Sequence, residues 1–138
     1  MKRVLSLELG NTMNDLHQAL LELDGFLEAH EVSPQLSYAA RLTLEELATN
    51  IIKYGYDDTE RHVIKVGFDP HPPARMTLDD DGHPFNPLTD APVPTLEGPI
   101  EDRPIGGLGL HMLRAMGLTM NYQRCGDRNV LTVEFPAK

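Results

Sequence analysis

Glu46, Asn50 and Lys53 stand four and three residues apart in "EELATNIIKYGY". At about 100° per residue that spacing puts them on one stripe of a helix. An apolar stripe, Leu36, Ala40, Leu44, Leu47 and Ile51, runs directly beside it and must face a core. Polar groups at such a border are partly desolvated, where chemistry is often sited. Two readings stay open. Glu46 pairs with Asn50 or Lys53 as boundary polars on helices do; or Asn50 offers a neutral oxygen to a hard cation such as Mg2+ while Glu46 positions or deprotonates a nucleophile. Magnesium takes few protein ligands and fills its shell with water and substrate phosphates, so one asparagine beside a triphosphate would suit it.

Three adjacent carboxylates occur in "DDDGHPF", residues 79–85. They read as a metal cluster, a solvated turn, or one working carboxylate between two others. The preceding "RMTL" decides among these. Side chains alternate between faces along a strand, so Asp80 points the same way as Met76 and Leu78, the apolar pair, while Asp79 and Asp81 point away. Convergence of all three on one metal is therefore disfavoured. A carboxylate buried beside apolar groups is costly unless it finds donors. A third candidate is "GGLGL", Gly106 to Leu110, which opens a helix. Free amides at a helix N-terminus, approachable because the residues are small, make an anion site; glycines also stand there for tight turning alone. No GxxxxGK[ST] occurs, which excludes a P-loop, and the glycines do not follow a first strand in a parallel βαβ unit, which excludes a dinucleotide fingerprint.

The elements that must position these residues follow from periodicity. Leu5, Leu7 and Leu9 alternate with Ser6 and Glu8 as a half-buried strand. Asn11 or Thr12 caps a helix running to about His30, with Leu16, Leu20, Leu23 and Leu27 on its inner face. Ser33 as N-cap and Pro34 at the first helical position start a second helix, which stops at Gly55. "RHVIKVGF" and "ARMTLDD" are strands. Residues 86–105 are proline-rich and aperiodic, a length that in a compact domain means a lid, a binding loop or disorder. A short helix follows the glycines, and "LTMNYQRC" and "NVLTVEF" close as a hairpin around "GDR". Strands joined as hairpins imply an α+β two-layer sandwich: a mixed, mainly antiparallel sheet with its helices on one face.

At 138 residues the expectation is one domain, 1–138, with 41% apolar and 24% charged residues. The net charge of −9, with 21 acidic against 12 basic residues, opposes nucleic-acid binding by phosphate neutralisation. No apolar run reaches membrane-helix length, about 18 residues, and "MKRVLSLELG" alternates as a strand does and unlike a signal peptide. One cysteine, Cys125, excludes an internal disulfide or a cysteine zinc site, and the six histidines form no HxH or HxxxH pair. A cytoplasmic protein is expected.

Taken in order, "EELATNIIKYGY", "DDDGHPF", a long lid and "RPIGGLGL" resemble the three nucleotide-binding boxes of the GHKL ATP-binding fold, shared by histidine kinases, gyrase and MutL. The resemblance spans nearly the whole chain. It is strongest to the small stand-alone anti-sigma-factor serine-protein kinases (RsbW-like), which carry a similar E-x-x-x-N-x-x-K-x-x-Y helix and IGGLGL lid exit. The resemblance implies ATP and Mg2+ as cofactors, with Asn50 coordinating the metal and Glu46 as the catalytic base toward a serine or threonine hydroxyl of a partner. It places Thr49 and Lys53 near the nucleotide, and Asp80 as acceptor of the adenine amino group, with Gly82 and Phe85 of the same box beside it. Gly107, Leu108, Gly109 and Leu110 would bring amides to the phosphates, and Arg103 would contact a phosphate from the lid, about 86–105. The implied partners are a STAS-type antagonist protein and a sigma factor; a homodimer is left open. No upstream helix carries a phospho-accepting histidine, and His111 reads as structural or surface. A nucleotide-dependent binding module of the same fold, without kinase activity, is the alternative.

Overall fold

The computed structural model describes residues 4–90 and 108–136. Arg103, Gly107 and lid positions 91–105 lie outside them, as does the side chain of Leu108. In chain order the elements are β1 (Leu5–Gly10), α1 (Met13–Ala29), α2 (Pro34–Tyr54), β2 (Val63–Asp69), β3 (Arg75–Asp80), α3 (Leu108–Ala115), β4 (Thr119–Cys125) and β5 (Arg128–Glu134).

Local chemistry sets these bounds. The Thr12 hydroxyl accepts from the Asp15 amide at 3.0 Å and starts α1. Ser33 does the same for α2 through the Leu36 amide at 3.2 Å, with Pro34 fixing the first turn. The Gly55 amide donates to the Ile51 carbonyl and ends α2. Gly126, at φ +63°, makes the turn between β4 and β5.

The five strands lie in the order β1-β2-β3-β5-β4. The sequence predicts a mainly antiparallel sheet, and all four described pairings are antiparallel. The reason is the placement of the last hairpin, whose second strand rather than its first lies against β3, so that neighbours run opposite ways throughout. Leu7, Ile64, Val66, Met76, Leu78, Leu131 and Val133 are buried on the inner face. Against them pack Leu16, Leu20, Leu23 and Leu27 of α1 and Ala40, Leu44, Leu47 and Ile51 of α2. Truncating such a fully buried leucine costs about 2–5 kcal/mol, a large share of the roughly 5–15 kcal/mol that holds a domain folded. The apolar stripe of α2 thus fixes the helix rigidly on the sheet, and its polar stripe is held along with it.

An apolar pocket of about 610 Å3 opens where α2 begins, lined by Leu36, Ala39, Pro72, Pro73, Met116, Phe135 and their neighbours. Glu46, Asn50 and Asp80 do not line it. Among the described residues no helix is long and apolar enough to cross a membrane.

Candidate functional site

Asp80 ends β3 in phase with Met76 and Leu78 and is only 3% exposed. Its two neighbours leave for other partners: Asp79 accepts from the Arg128 guanidinium, and Asp81 lies 3.1 Å from His62 Nδ1. Asp80 Oδ1 accepts from the Gly82 amide at 2.8 Å and from Asn129 Nδ2 at 3.1 Å. Burial pushes the Asp80 pKa up; the two hydrogen bonds oppose this, and the negative charge of Asp81 adds to it.

The segment after Asp80 is fastened to the end of α2. The His83 amide donates to the Gly55 carbonyl at 3.2 Å, and His83 Nε2 lies 3.1 Å from the Tyr54 carbonyl. A Cβ at Gly82 would collide with that same Gly55 carbonyl and crowd Asp80 Oδ1, so the close approach requires glycine. Phe85 is buried against Tyr54, ring centroids 6.2 Å apart. Gly82→Ala is expected to cost about 1–3 kcal/mol, as overpacking does, read as a lower denaturant midpoint together with weaker ligand binding.

Farther back along α2, Glu46 is 8% and Asn50 2% exposed, and Asn50 Nδ2 donates to Glu46 Oε2 at 3.4 Å. That bond turns the asparagine's carbonyl oxygen away from the carboxylate. Gly109, in the first turn of α3, packs on Glu46 so closely that a Cβ there would overlap the carboxylate. Thr49 is buried on the same side of α2, Lys53 reaches solvent, and Leu110 joins the core. The described site therefore has two parts joined by α2: Glu46, Asn50 and Gly109 at one, and Asp80, Gly82 and Phe85 at the other.

Residues 9–135 match the histidine kinase-like ATPase domain family. The chain belongs to that family. As an ATPase domain it binds ATP. Among solved structures it is similar to the histidine kinase domain of the blue-light activated histidine kinase from Erythrobacter litoralis EL346, at 21% identity and a TM-score of 0.51. The match covers 72% of this chain and 44% of that one, so the ATPase domain spans less than half of that structure, and the likeness is one of fold. No curated protein matches it.

Two groups in the ATPase domain were not expected from sequence. Asn129 is buried beside Asp80; its signal is that it shares the buried face of β5 with Leu131 and Val133, where a polar residue needs a reason. The second is a stack of Tyr56 on His62, ring centroids 4.2 Å apart. The Tyr56 hydroxyl is buried without a hydrogen-bond partner among the described residues, and its pKa is driven up by burial and by the charges of Asp80 and Asp81. His62 Nε2 lies 2.8 Å from Asp58 and Nδ1 3.1 Å from Asp81. Only an imidazolium donates from both nitrogens, and the hydrogen bond to Asp58, followed by that to Asp81, raises its pKa against partial burial.

A raised folded pKa stabilises fully below the unfolded value, about 6.5 for histidine, and the gain is lost as pH rises through the folded value. His62→Gln should therefore lower the denaturant midpoint at pH 6 and leave it near wild type at pH 9. An equal loss at both would refute the ionic role.

Proposed function

We propose that the ATPase domain is an ATP- and Mg2+-dependent serine/threonine protein kinase of the anti-sigma-factor type, acting on a small STAS-type antagonist protein and sequestering a sigma factor. The observation that carries the reading is Glu46: a buried carboxylate beside Asn50, under the glycine that opens α3. The donor set fits the cofactor. Asn50 would offer a hard, neutral oxygen of the kind Mg2+ takes, and Gly109 lets the first turn of α3 approach the Glu46 carboxylate beside it. Bound there, Mg2+ would neutralise charge on the phosphates.

Asp80 accepts the adenine amino group, Gly82 allows the purine to approach the backbone, and the last box, by its resemblance to the family's, would supply amides to the phosphates. Thr49, buried between Glu46 and Asn50 along α2, and Lys53, exposed one turn on, stand near the nucleotide in this reading. Glu46 takes the proton of the partner's hydroxyl as that oxygen attacks the γ-phosphorus and ADP leaves. Phosphoryl transfer requires chiefly positioning and charge stabilisation, which this small set of groups supplies.

Incubation with labelled ATP, Mg2+ and a STAS-type protein is the test. Label on a serine or threonine of the partner is expected. Intact ATP binding with no transfer would overturn the kinase reading and leave a nucleotide-dependent binding module. Arg103 and Gly107, outside the described residues, enter this proposal on sequence resemblance alone.

A further inference from the structure

We propose that Asn129 is the positioning residue of the purine end of the site, fixing which oxygen of Asp80 is left to face the ligand. The inference rests on the reading that Asp80 receives the adenine amino group. Asn129 is 2% exposed and uses both ends of its amide. Nδ2 donates to Asp80 Oδ1 at 3.1 Å and to the His83 carbonyl at 2.9 Å. Oδ1 accepts from Arg124 Nη1 at 3.1 Å, from the Tyr122 hydroxyl and from the Phe85 amide at 3.4 Å.

Turning the amide over would set its oxygen against the Asp80 carboxylate and its NH2 against Arg124. Its orientation therefore has one choice. The Gly82 amide donates to the same Asp80 oxygen. Among the described residues both donors to Asp80 fall on Oδ1, so Oδ2 is the oxygen left to accept from a ligand amine. Arg124 completes the arrangement by donating to the Gly82 carbonyl at 2.8 Å. The β4–β5 hairpin thereby holds Asp80 and the loop after it as one unit.

The experiment compares ATP with purine riboside triphosphate, which lacks the 6-amino group, by calorimetry on the full chain. The unchanged protein should prefer ATP by about tenfold or more, the scale of a hydrogen bond to a charged group. In Asn129→Ser and in the near-isosteric Asn129→Asp that preference should fall to about twofold or less, while affinity for the purine analogue changes little. A merely structural residue would weaken both nucleotides equally. In the unchanged protein, the Asn129 side-chain amide resonances should shift on adding ATP and far less on adding the analogue. This readout holds even if neither variant folds. Preference kept in a folded variant, equal weakening of both nucleotides, or resonances that respond alike to both, overturns the proposal. An unchanged protein that does not prefer ATP overturns instead the reading of Asp80.

Discussion

Glu46→Ala is expected to lower the rate of phosphoryl transfer by about 10²–10⁴-fold, the usual contribution of a general base, while ATP affinity stays largely intact. A base acts in the transition state, so its loss falls on kcat. The geometry makes the substitution interpretable: the Glu46 carboxylate sits under Gly109 and accepts from Asn50, so Glu46→Gln, which keeps volume and a hydrogen-bonding oxygen but not basicity, serves as its control. Transfer rate and nucleotide Kd are measured side by side. If Kd rose in step with the rate loss in Glu46→Gln, Glu46 would be a binding residue and the base would lie elsewhere.

Asp80→Asn is expected to weaken ATP binding by about 1.5–3 kcal/mol, the range for a hydrogen bond involving a charged group, or roughly 10–150-fold in Kd. The Asn side chain must keep its oxygen toward the Gly82 amide and Asn129 Nδ2, so its NH2 is left facing the adenine amine, donor against donor. Asp79→Asn is the matched control, because Asp79 bonds Arg128 on the other side of the strand. Normal ATP binding by Asp80→Asn with loss in Asp79→Asn would show the register to be wrong.

Acid adds an independent check. The Asp80 pKa lies above the ordinary carboxylate range because the side chain is buried, so ATP affinity should fall as pH drops through that raised value, and this acid limb should be absent in Asp80→Asn. The ligand-free fold responds oppositely. Between the ordinary and the raised value the folded state keeps a proton that the unfolded chain has lost, so Asp80 makes the protein less stable as pH rises.

What the sequence disclosed and what it hid divide by distance along the chain. Thr12, Ser33, Pro34 and Gly55 are local signals, and the helices begin and end at them. The alternation in "RMTLDDD" needed only a period of two to single out Asp80 from its neighbours. Asn129 bonds Asp80 across 49 residues, and its pairing depends on which strand of the last hairpin meets β3. No local pattern encodes that choice. The packing of Gly109 on Glu46 likewise depends on where α3 docks. A glycine that opens a helix is legible, whereas the carboxylate it must make room for is not. His62 between Asp58 and Asp81 was hidden for the same reason, since the two loops meet only once β2 and β3 have paired.

The pocket at the start of α2 bears on how these variants can be compared. Its size is in the range that takes a drug-sized molecule, and its walls are apolar. Dyes that report unfolding do so by brightening on exposed apolar surface. Such a dye should already be bright on the native protein, and any variant that alters this end would change the starting signal with no change in stability. Circular dichroism or calorimetry, which respond to the fold itself, would rank the substitutions correctly where a dye-based melt would not.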